Sequence, residues 1–368
     1  MVGKRDILVG MSGGLDSSVA VYLLQKASYK VTGVTFRLTG PGIGDSGKQS
    51  NVVERAAKVC ERFGIEHIVA DHQADFESCV IRYFSDAYFE GLTPNPCVQC
   101  NREIKWRALS KLADERGIPL IATGHYARIE KRGKQRLLLK GKDGLKDQSY
   151  FLWCLGQADL ARTVFPLGER HKSEIAGIAE ELGLEQARQP ESQDICFIPD
   201  NDYKSFLEIY DPERIRKIGE GDFIDMQGRV IGRHKGFYRF TVGQRKGLGI
   251  AQGEPVYVRA IIPERNAVQI GTRLDSENLG CIVADCNWIA SAAPSENLDC
   301  SIKVRYRSKG VRARIEPLGS GRYHVFFGEP VHAVTPGQSA VFYDGDIVIG
   351  GGIIQINRQE VSGNENNR

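Results

Sequence analysis

Short apolar runs alternate with amphipathic stretches through the first 200 residues of the chain. The apolar runs have the length of buried strands, and the stretches between them have the period of helices. This alternation predicts an α/β fold in which a parallel sheet carries helices on both faces, with ligands at the carboxyl ends of the strands. The predicted strands are Ile7–Val9, Val31–Phe36, His67–Ala70 and Pro119–Ala122, and the predicted helices are Val19–Lys26, Asn51–Phe63, Phe76–Phe89 and Arg102–Arg116.

The pattern changes after about residue 205. Short β-branched runs, separated by glycine, proline and aspartate, replace the helical periodicity and predict a small β-barrel or sandwich. We expect domains at 1–205, 206–271 and 272–357, followed by a polar tail at 358–368. The predicted strands are Val256–Val258, Ala267–Ile270, Ser301–Tyr306, Val311–Glu316, Tyr323–Phe327 and Ser339–Tyr343.

Composition narrows the class of protein. A net charge of +3 over 368 residues excludes a polybasic coat, and the sequence contains no apolar run of membrane-spanning length. The N-terminal residues lack the pattern of a signal peptide, so we expect a cytoplasmic protein that does not bind membranes. Nine cysteines, an odd number, then favour free, catalytic or metal-bound thiols over structural disulfides.

The segment Ser12–Ser18, with the sequence SGGLDSS, leaves the first predicted strand and enters the first predicted helix. Two glycines and the free amides of a helix N-terminus together form a cradle for phosphate. An ordinary helix cap is the alternative, because serine and aspartate are favoured there. The string resembles the signature of the PP-loop enzymes, which split ATP into AMP and pyrophosphate, and Asp16 would fix the loop or help to hold Mg²⁺.

A second glycine-rich segment, Gly42–Lys48, satisfies the patterns of both a dinucleotide site and a Walker NTPase. Gln49 replaces the serine or threonine that a Walker site needs for magnesium, and the glycines lie beyond the end of the strand. We interpret this segment as a loop without a phosphate-binding role.

Cys97 and Cys100 form a Cys-x-x-Cys pair, and Cys196 is a third prominent cysteine. The pair alone would fit half a zinc site or a redox pair. Since it lies where a helix begins, we expect its thiol pKa values to be lowered. The other six cysteines are interpreted as buried apolar-like residues.

Six motifs, in order along nearly the whole chain, resemble the tRNA-specific 2-thiouridylases. The resemblance implies a PP-loop domain, a small central domain and an RNA-contacting C-terminal β-barrel. The motifs are Gly10–Ser18, Thr93–Asn101, Ala122–Tyr126, Lys146–Leu152, Ser192–Phe197 and Thr335–Gln338.

The same resemblance implies roles for individual residues. Cys100 corresponds to the nucleophile and Cys196 to the cysteine that carries a persulfide. The residues implied to bind ATP are Gly10, Met11, Ser12, Gly13, Gly14, Leu15, Asp16, Ser17, Phe36 and Gly124. Those implied to contact tRNA or its target base are Asn95, Pro96, Cys97, His125, Lys146, Asp147, Gln148, Arg305, Tyr306 and Gln338.

One departure from the family leaves the sulfur chemistry open, because Cys97 stands where many members have aspartate. Three thiols, Cys97, Cys100 and Cys196, could then hold a [4Fe–4S] cluster with one open iron. We favour the persulfide roles and keep the cluster as the alternative. The expected cofactors are ATP and Mg²⁺. The expected partners are a tRNA with a wobble uridine and a persulfide sulfur donor, and the protein itself is expected to be a monomer.

Basic residues are concentrated in Ser301–His324, where Tyr306 and Tyr323 are interleaved with them. This composition suits RNA phosphates and bases, and a solvated charged face of a barrel is the alternative. A second basic edge beside the cysteines could be added by Arg102, Lys105, Trp106 and Arg107. The expected function is ATP-dependent thiolation of C2 of the wobble uridine (position 34). Its rivals are a PP-loop ligase for a small molecule and a non-catalytic RNA-binding redox or iron–sulfur sensor.

Overall fold

The N-terminal part of the protein is built on a five-stranded parallel sheet with the strand order β3-β2-β1-β4-β7. The computed structural model describes residues 5–40, 48–185, 195–250 and 253–356. The strands are β1 (Arg5–Gly10), β2 (Tyr29–Arg37), β3 (Glu66–Asp71), β4 (Leu120–Ala122) and β7 (Thr163–Val164). The helices that cover the sheet include α1 (Leu15–Lys26), α2 (Lys48–Arg62), α6 (Trp106–Glu115) and α8 (Lys172–Glu181).

Both faces of this sheet are buried, as the alternation along β1 shows. Ile7 and Val9 pack in a cluster with residues of α1 and α2. Leu8, which points to the opposite face, packs with Trp106 and Leu109 of α6. The predicted parallel sheet with helices on both faces is therefore confirmed.

Two longer helical segments are interrupted by single π-helical turns. The first consists of α3 (Gln73–Phe76), a π turn (Glu77–Ile81) and α4 (Arg82–Phe89). The second consists of α5 (Pro96–Cys100), a π turn (Asn101–Lys105) and α6. The second segment begins six residues before the predicted start at Arg102, because Asn95 caps it and Pro96 occupies its first position.

The central part of the chain combines two short helices with a four-stranded sheet of order β10-β11-β8-β9. Phe223 and Val268 of this sheet pack in one cluster with Phe76 and Phe84, so the central part shares a core with the segment α3–α4. The two helices were not predicted. The elements are α9 (Tyr203–Tyr210), α10 (Pro212–Ile218), β8 (Gly221–Ile224), β9 (Val230–His234), β10 (Tyr257–Ile262) and β11 (Ala267–Gly271).

Six C-terminal strands form a closed barrel in the order β12-β15-β14-β13-β16-β17, and pairing of β12 with β17 closes it. Val283, Ile302, Val325 and Phe342 fill its core. The predicted barrel is confirmed, although the predicted strand Ser301–Tyr306 ends at Lys303. The strands are β12 (Glu277–Trp288), β13 (Leu298–Lys303), β14 (Val311–Gly319), β15 (Arg322–His332), β16 (Ser339–Asp344) and β17 (Ile347–Ile354).

A hairpin from the N-terminal half extends the barrel sheet. Its strands are β5 (Ala127–Arg132) and β6 (Gln135–Lys140), and α7 (Gln157–Arg162) follows them. Leu139 of β6 pairs with Ile347 of β17, so a segment inside the predicted first domain contributes to the barrel sheet. Within the ranges that the structure describes, no helix has both the length and the apolar character needed to cross a bilayer.

Candidate active site

The glycine loop between β1 and α1 is shaped by close packing against α2. Gly13 has a φ of +64°, and a Cβ at this position would lie 2.7 Å from the carbonyl oxygen of Val52. Both facts require glycine. The hydroxyls of Ser17 and Ser18 donate to the Gly14 carbonyl at 3.1 and 2.9 Å. These serines therefore hold the loop, and phosphate would be met mainly by the first-turn amides of α1, which have no partner within the helix.

Asp16, in the first turn of α1, already has two partners. Its Oδ1 accepts a hydrogen bond from the Tyr126 hydroxyl at 2.7 Å and lies 2.8 Å from Nζ of Lys172. Of the two roles considered for Asp16, fixing the loop agrees with these contacts, whereas holding Mg²⁺ stays a prediction. Neither Tyr126 nor Lys172 was identified from the sequence as part of this site.

The remaining residues implied to bind ATP lie at the carboxyl edges of three adjacent strands. Gly124 follows β4, and a Cβ there would lie 3.1 Å from the backbone of Asp16 and from the amide nitrogen of Ser17. Phe36, at the end of β2, packs edge-on against His72 at 5.2 Å between ring centroids. Buried Met11 is held through its amide, which donates to Val34 at 2.7 Å. This edge is where parallel sheets bind ligands.

Three cysteines that are distant in sequence share one neighbourhood. Cys97 and Cys196 are exposed to solvent, whereas Cys100 is buried. Cys196 interacts electrostatically with both Cys97 and Cys100. The anchor next to it is Phe197, whose ring packs 5.4 Å from that of Phe84 in the core that also contains Cys100. The structure thus places Cys196 within electrostatic reach of Cys97 and Cys100, which lie in the first turns of the helix that begins at Pro96.

Lys105 is the cation of this neighbourhood and interacts electrostatically with all three thiols. In an α-helix, residues five apart point about 140° away from each other. The wider π turn Asn101–Lys105 reduces this angle between Cys100 and Lys105. The sequence predicts a second basic edge beside the cysteines, made of Arg102, Lys105, Trp106 and Arg107. That was wrong for Trp106, which is buried and donates to Thr163 at 3.0 Å.

The expected lowering of the thiol pKa values was wrong. Protein atoms packed around the three thiols partly exclude water and raise their pKa values, to about 11 for Cys100 and about 12 for Cys196, although Cys97 and Cys196 keep part of their surface open to solvent. Lys105 opposes these shifts because its positive charge favours the thiolate. In this structure the loss of hydration raises the thiol pKa values by more than the nearby cation lowers them.

His125 lies between the glycine loop and the cysteines. Its Nδ1 is 2.7 Å from Oγ1 of Thr123, and its ring lies 5.5 Å from that of Trp106. Desolvation, assisted by the charge of Lys105, lowers the pKa of His125 to about 3. The imidazole is therefore neutral at physiological pH and presents one donor and one acceptor.

Several residues implied to contact tRNA make contacts within the protein. Asp147 is buried, and its Oδ1 accepts from the amides of Gly141 and Ser149 at 3.0 Å each. Gln148 accepts from the Tyr126 amide through Oε1 at 2.9 Å, and Lys146 is half-buried beside it. Contact of these side chains with RNA stays a prediction, and the contacts seen give Asp147 a structural role.

The barrel residues implied to contact tRNA also hold the site together. Arg305 donates to the carbonyl of Val242 at 2.9 Å and to Oγ1 of Thr335 at 2.6 Å. Gln338 donates to the carbonyls of Thr93 and Pro94, just before the cysteine helix.

Other members of the implied set act through capping and packing. Tyr306 packs on Phe151 with 4.6 Å between the ring centroids. The side chain of Asn95 accepts from the amide of Val98 and thereby caps α5, while Pro96 is buried. The C-terminal part of the chain thus contacts the central part through Arg305 and the start of the cysteine helix through Gln338.

The cluster alternative is not supported by the donor set. Within the described ranges, the acidic, histidine and cysteine side chains form no group of three or more that could hold a metal ion. Cys97, Cys100 and Cys196 interact electrostatically but do not meet that condition, so we assign no step to a [4Fe–4S] cluster. The glycine segment 42–47 and the motif residues 192–194 lie outside the described residues, as does the predicted tail.

Comparison with known proteins agrees with this arrangement. Three family models match in succession: the tRNA methyl transferase HUP domain at residues 5–200, the tRNA methyl transferase PRC-barrel domain at 204–272 and the aminomethyltransferase beta-barrel domain at 278–354. The tRNA-specific 2-thiouridylase MnmA of Chloroflexus aggregans is 46% identical over 354 residues, which cover 95% of this chain and 98% of that protein. The protein of the same name from Chlorobaculum tepidum is 42% identical and covers 96% of both chains.

Among solved structures, a U34-tRNA thiolase NcsA from Methanococcus maripaludis with its [4Fe–4S] cluster matches 58% of this chain and 69% of its own. The identity is 20% and the TM-score 0.36, so this likeness carries no weight in the assignment. The full-length relatives decide it: the chain belongs to the tRNA-specific 2-thiouridylase family.

Proposed function

We propose that this protein is an ATP-dependent sulfurtransferase that converts the wobble uridine of tRNA, position 34, into 2-thiouridine. The observation that carries the proposal is that the glycine-loop cradle and Gly124 lie at the same edge of the sheet. His125 follows Gly124 and interacts electrostatically with Lys105, which interacts in turn with the three thiols. One reaction, the thiolation of uridine, can then use the phosphate site, the thiols of Cys100 and Cys196 and the cation of Lys105. A ligase for small molecules would need neither thiol.

The first step activates an oxygen that is otherwise a poor leaving group. ATP, entering as its magnesium complex, is held by the first-turn amides of α1, with Gly13 allowing close approach of the backbone. The C2 oxygen of uracil attacks the α-phosphorus, pyrophosphate leaves, and the base loses its N3 proton. The fixed amides stabilise charge on the phosphate oxygens in the transition state without having to reorganise.

The second step transfers sulfur from Cys196. The Cys196 thiolate attacks the outer sulfur of a donor protein's persulfide, and the donor leaves as a thiol. The terminal sulfur of the resulting Cys196 persulfide then attacks C2 as AMP leaves. The Cys100 thiolate then attacks Sγ of Cys196, the bond to the transferred sulfur breaks, and the product takes up a proton at N3. The resulting Cys100–Cys196 disulfide is returned to two thiols by an external thiol reductant.

Lys105 and His125 assist these two steps, Lys105 at the Cys100 thiol and His125 at the target base. Because Cys100 is largely protonated near neutral pH, the Lys105 ammonium favours the fraction that attacks. His125 is neutral and so offers a hydrogen bond to the base without adding charge. The target base must leave its stack to enter this site, which costs least in an anticodon loop.

The RNA-binding face is proposed to be narrower than the sequence suggested. Lys303 is 18% exposed and lies 3.9 Å from a carboxylate oxygen of Asp147, and Arg305 is engaged within the protein. Arg307, Lys309 and Arg312 are exposed on the barrel and are the candidates for phosphate contacts, whereas Arg314 is paired with Asp299 at 3.1 Å.

The test is thiolation of an unmodified tRNA transcript by the full chain with ATP, a persulfide donor and a thiol reductant. We expect AMP, pyrophosphate and 2-thiouridine in equal amounts. Cys100→Ser and Cys196→Ser should each abolish turnover to 2-thiouridine while still releasing pyrophosphate. Cys100→Ser should also release AMP, whereas Cys196→Ser should leave AMP on the tRNA as the adenylate. Cys300→Ser in the barrel is the matched control. Full thiolation by Cys100→Ser would refute the proposed mechanism.

A further inference from the structure

The carboxylate of Asp16 joins two parts of the chain that approach it from the same side. Tyr126 is 110 positions away and Lys172 is 156 positions away, yet both contact the same oxygen, Oδ1. Asp16 belongs to the helical turn whose amides form the phosphate cradle. A shift of either partner therefore acts on the cradle directly.

Both partners are also fixed to the turn 143–148, which contains three of the residues implied to contact tRNA. The amide of Tyr126 donates to Oε1 of Gln148 at 2.9 Å, and the amide of Gln148 donates to the Tyr126 carbonyl at 2.9 Å. The amide of Lys172 donates to Oδ2 of Asp143 at 2.9 Å. On Tyr126 and Lys172 the bonded groups are backbone groups, and on the turn they are one backbone amide and two side-chain oxygens, so a shift of the turn acts on the backbone of both residues.

Asp143 gives the turn a defined shape of its own. Its Oδ1 accepts from the amide of Leu145 at 3.0 Å, and its carbonyl accepts from the amide of Lys146 at 3.0 Å. The hydrogen bonds thus run without interruption from Asp16 to Lys146 through Lys172 and Asp143. A second series runs from Asp16 to Gln148 through Tyr126.

Charge can couple a nucleotide in the cradle to RNA at the turn 143–148 through these hydrogen bonds. Phosphates in the cradle bring negative charge next to Asp16, and the ammonium of Lys172 is then attracted to both. The pair is shielded from full solvent screening, since the side chain of Lys172 is 18% exposed and that of Asp16 is 35% exposed. RNA phosphates beside the turn would act on the same pair from the other end.

We propose that Tyr126 and Lys172 are positioning residues that couple nucleotide binding in the glycine loop to RNA binding at the turn 143–148, with Asp16 as their shared acceptor. This inference rests on the proposed function for its two ligands. Coupling of this kind is reciprocal, so bound RNA strengthens ATP binding by the same factor by which bound ATP strengthens RNA binding.

The experiment measures the dissociation constant of α,β-methylene-ATP for the full chain by calorimetry, with and without saturating unmodified tRNA transcript. We expect tRNA to tighten nucleotide binding at least about fivefold, the low end for coupled sites. Tyr126→Phe and Lys172→Met should bring this factor close to one. Tyr29→Phe and Lys30→Met are matched controls, because their contacts with Arg5 and Asp6 lie at the start of the sheet.

Each outcome has one meaning. If wild type binds both ligands and the factor is one, or if the two variants keep the wild-type factor, the coupling is overturned while the proposed function stands. If the controls lose the factor as well, the assignment to Tyr126 and Lys172 is overturned. If wild type binds neither nucleotide nor tRNA, the proposed function fails. Circular dichroism confirms folding, and Lys172→Gln replaces Lys172→Met if that variant does not fold.

Discussion

Replacing Gly124 by alanine tests the contact between the segment after β4 and the first turn of α1. The added methyl group would lie 3.1 Å from the carbonyl carbon of Asp16 and from the amide nitrogen of Ser17. Optimal contacts of this type are about 3.5–4.0 Å, so the two segments must separate by roughly half an ångström. Both neighbouring atoms are backbone, and no side-chain rotation relieves the contact.

Overpacking of this kind costs about 1–3 kcal/mol. If α1 yields, its amides leave their positions around the phosphates, and the dissociation constant of α,β-methylene-ATP rises about 5- to 150-fold, since about 1.4 kcal/mol is a factor of ten. If α1 keeps its position, the free energy of unfolding falls by the same amount instead. Calorimetry of nucleotide binding and chemical denaturation together measure both parts.

Gly177→Ala is the matched control for this substitution. Gly177 lies within α8, and a Cβ there would have no neighbour within 4 Å. Alanine should leave nucleotide binding unchanged and stabilise the helix by up to about 1 kcal/mol. Wild-type nucleotide affinity together with wild-type stability in Gly124→Ala would refute the reasoning, because the steric overlap would then have had no effect.

Three further predictions concern other parts of the site. Asp147→Ala should lower the free energy of unfolding by about 2–4 kcal/mol, because two buried amides lose their acceptor; an unchanged denaturation midpoint would contradict this. Arg305→Met should lower stability, because it removes the contacts with Val242 and Thr335, and should leave the salt dependence of tRNA affinity unchanged; a slope reduced by about one would instead identify a phosphate contact. Alkylation of Cys100, followed by peptide mass spectrometry, should accelerate with pH up to about 11. Lys105→Met should slow it at pH 8, because loss of the positive charge raises the thiol pKa further, and an unchanged rate would exclude that role.

The cradle was readable from the sequence because its signals are local. Glycines, a preceding apolar strand and a following helix occupy adjacent positions, and Gly13 has the positive φ that such a loop needs. The proximity of Cys100 and Cys196 is different in kind. No periodicity relates positions 96 residues apart, so the expectation came only from resemblance to a family.

Other features depended on tertiary context that no local pattern contains. The pKa of Cys100 is raised because Ile104, Phe197 and their neighbours exclude water, and this burial outweighs the positive charge of Lys105. The π turn that reorients Lys105 has no recognised sequence signal. The hairpin around Gly133 has turn and strand signals, but nothing in them indicates that its partner is a barrel strand.

That hairpin has a consequence for how the protein is made. Strand β6 leaves the ribosome about 200 residues before β17, and at roughly 5–20 residues per second the wait lasts about 10–40 s. During this time the edge that will pair with Ile347 is without its native neighbour. A nascent chain stopped before the barrel would therefore expose the unpaired edge of β6, which can pair with other strands. Synthesis of β17 supplies the missing partner of β6 and also closes the barrel.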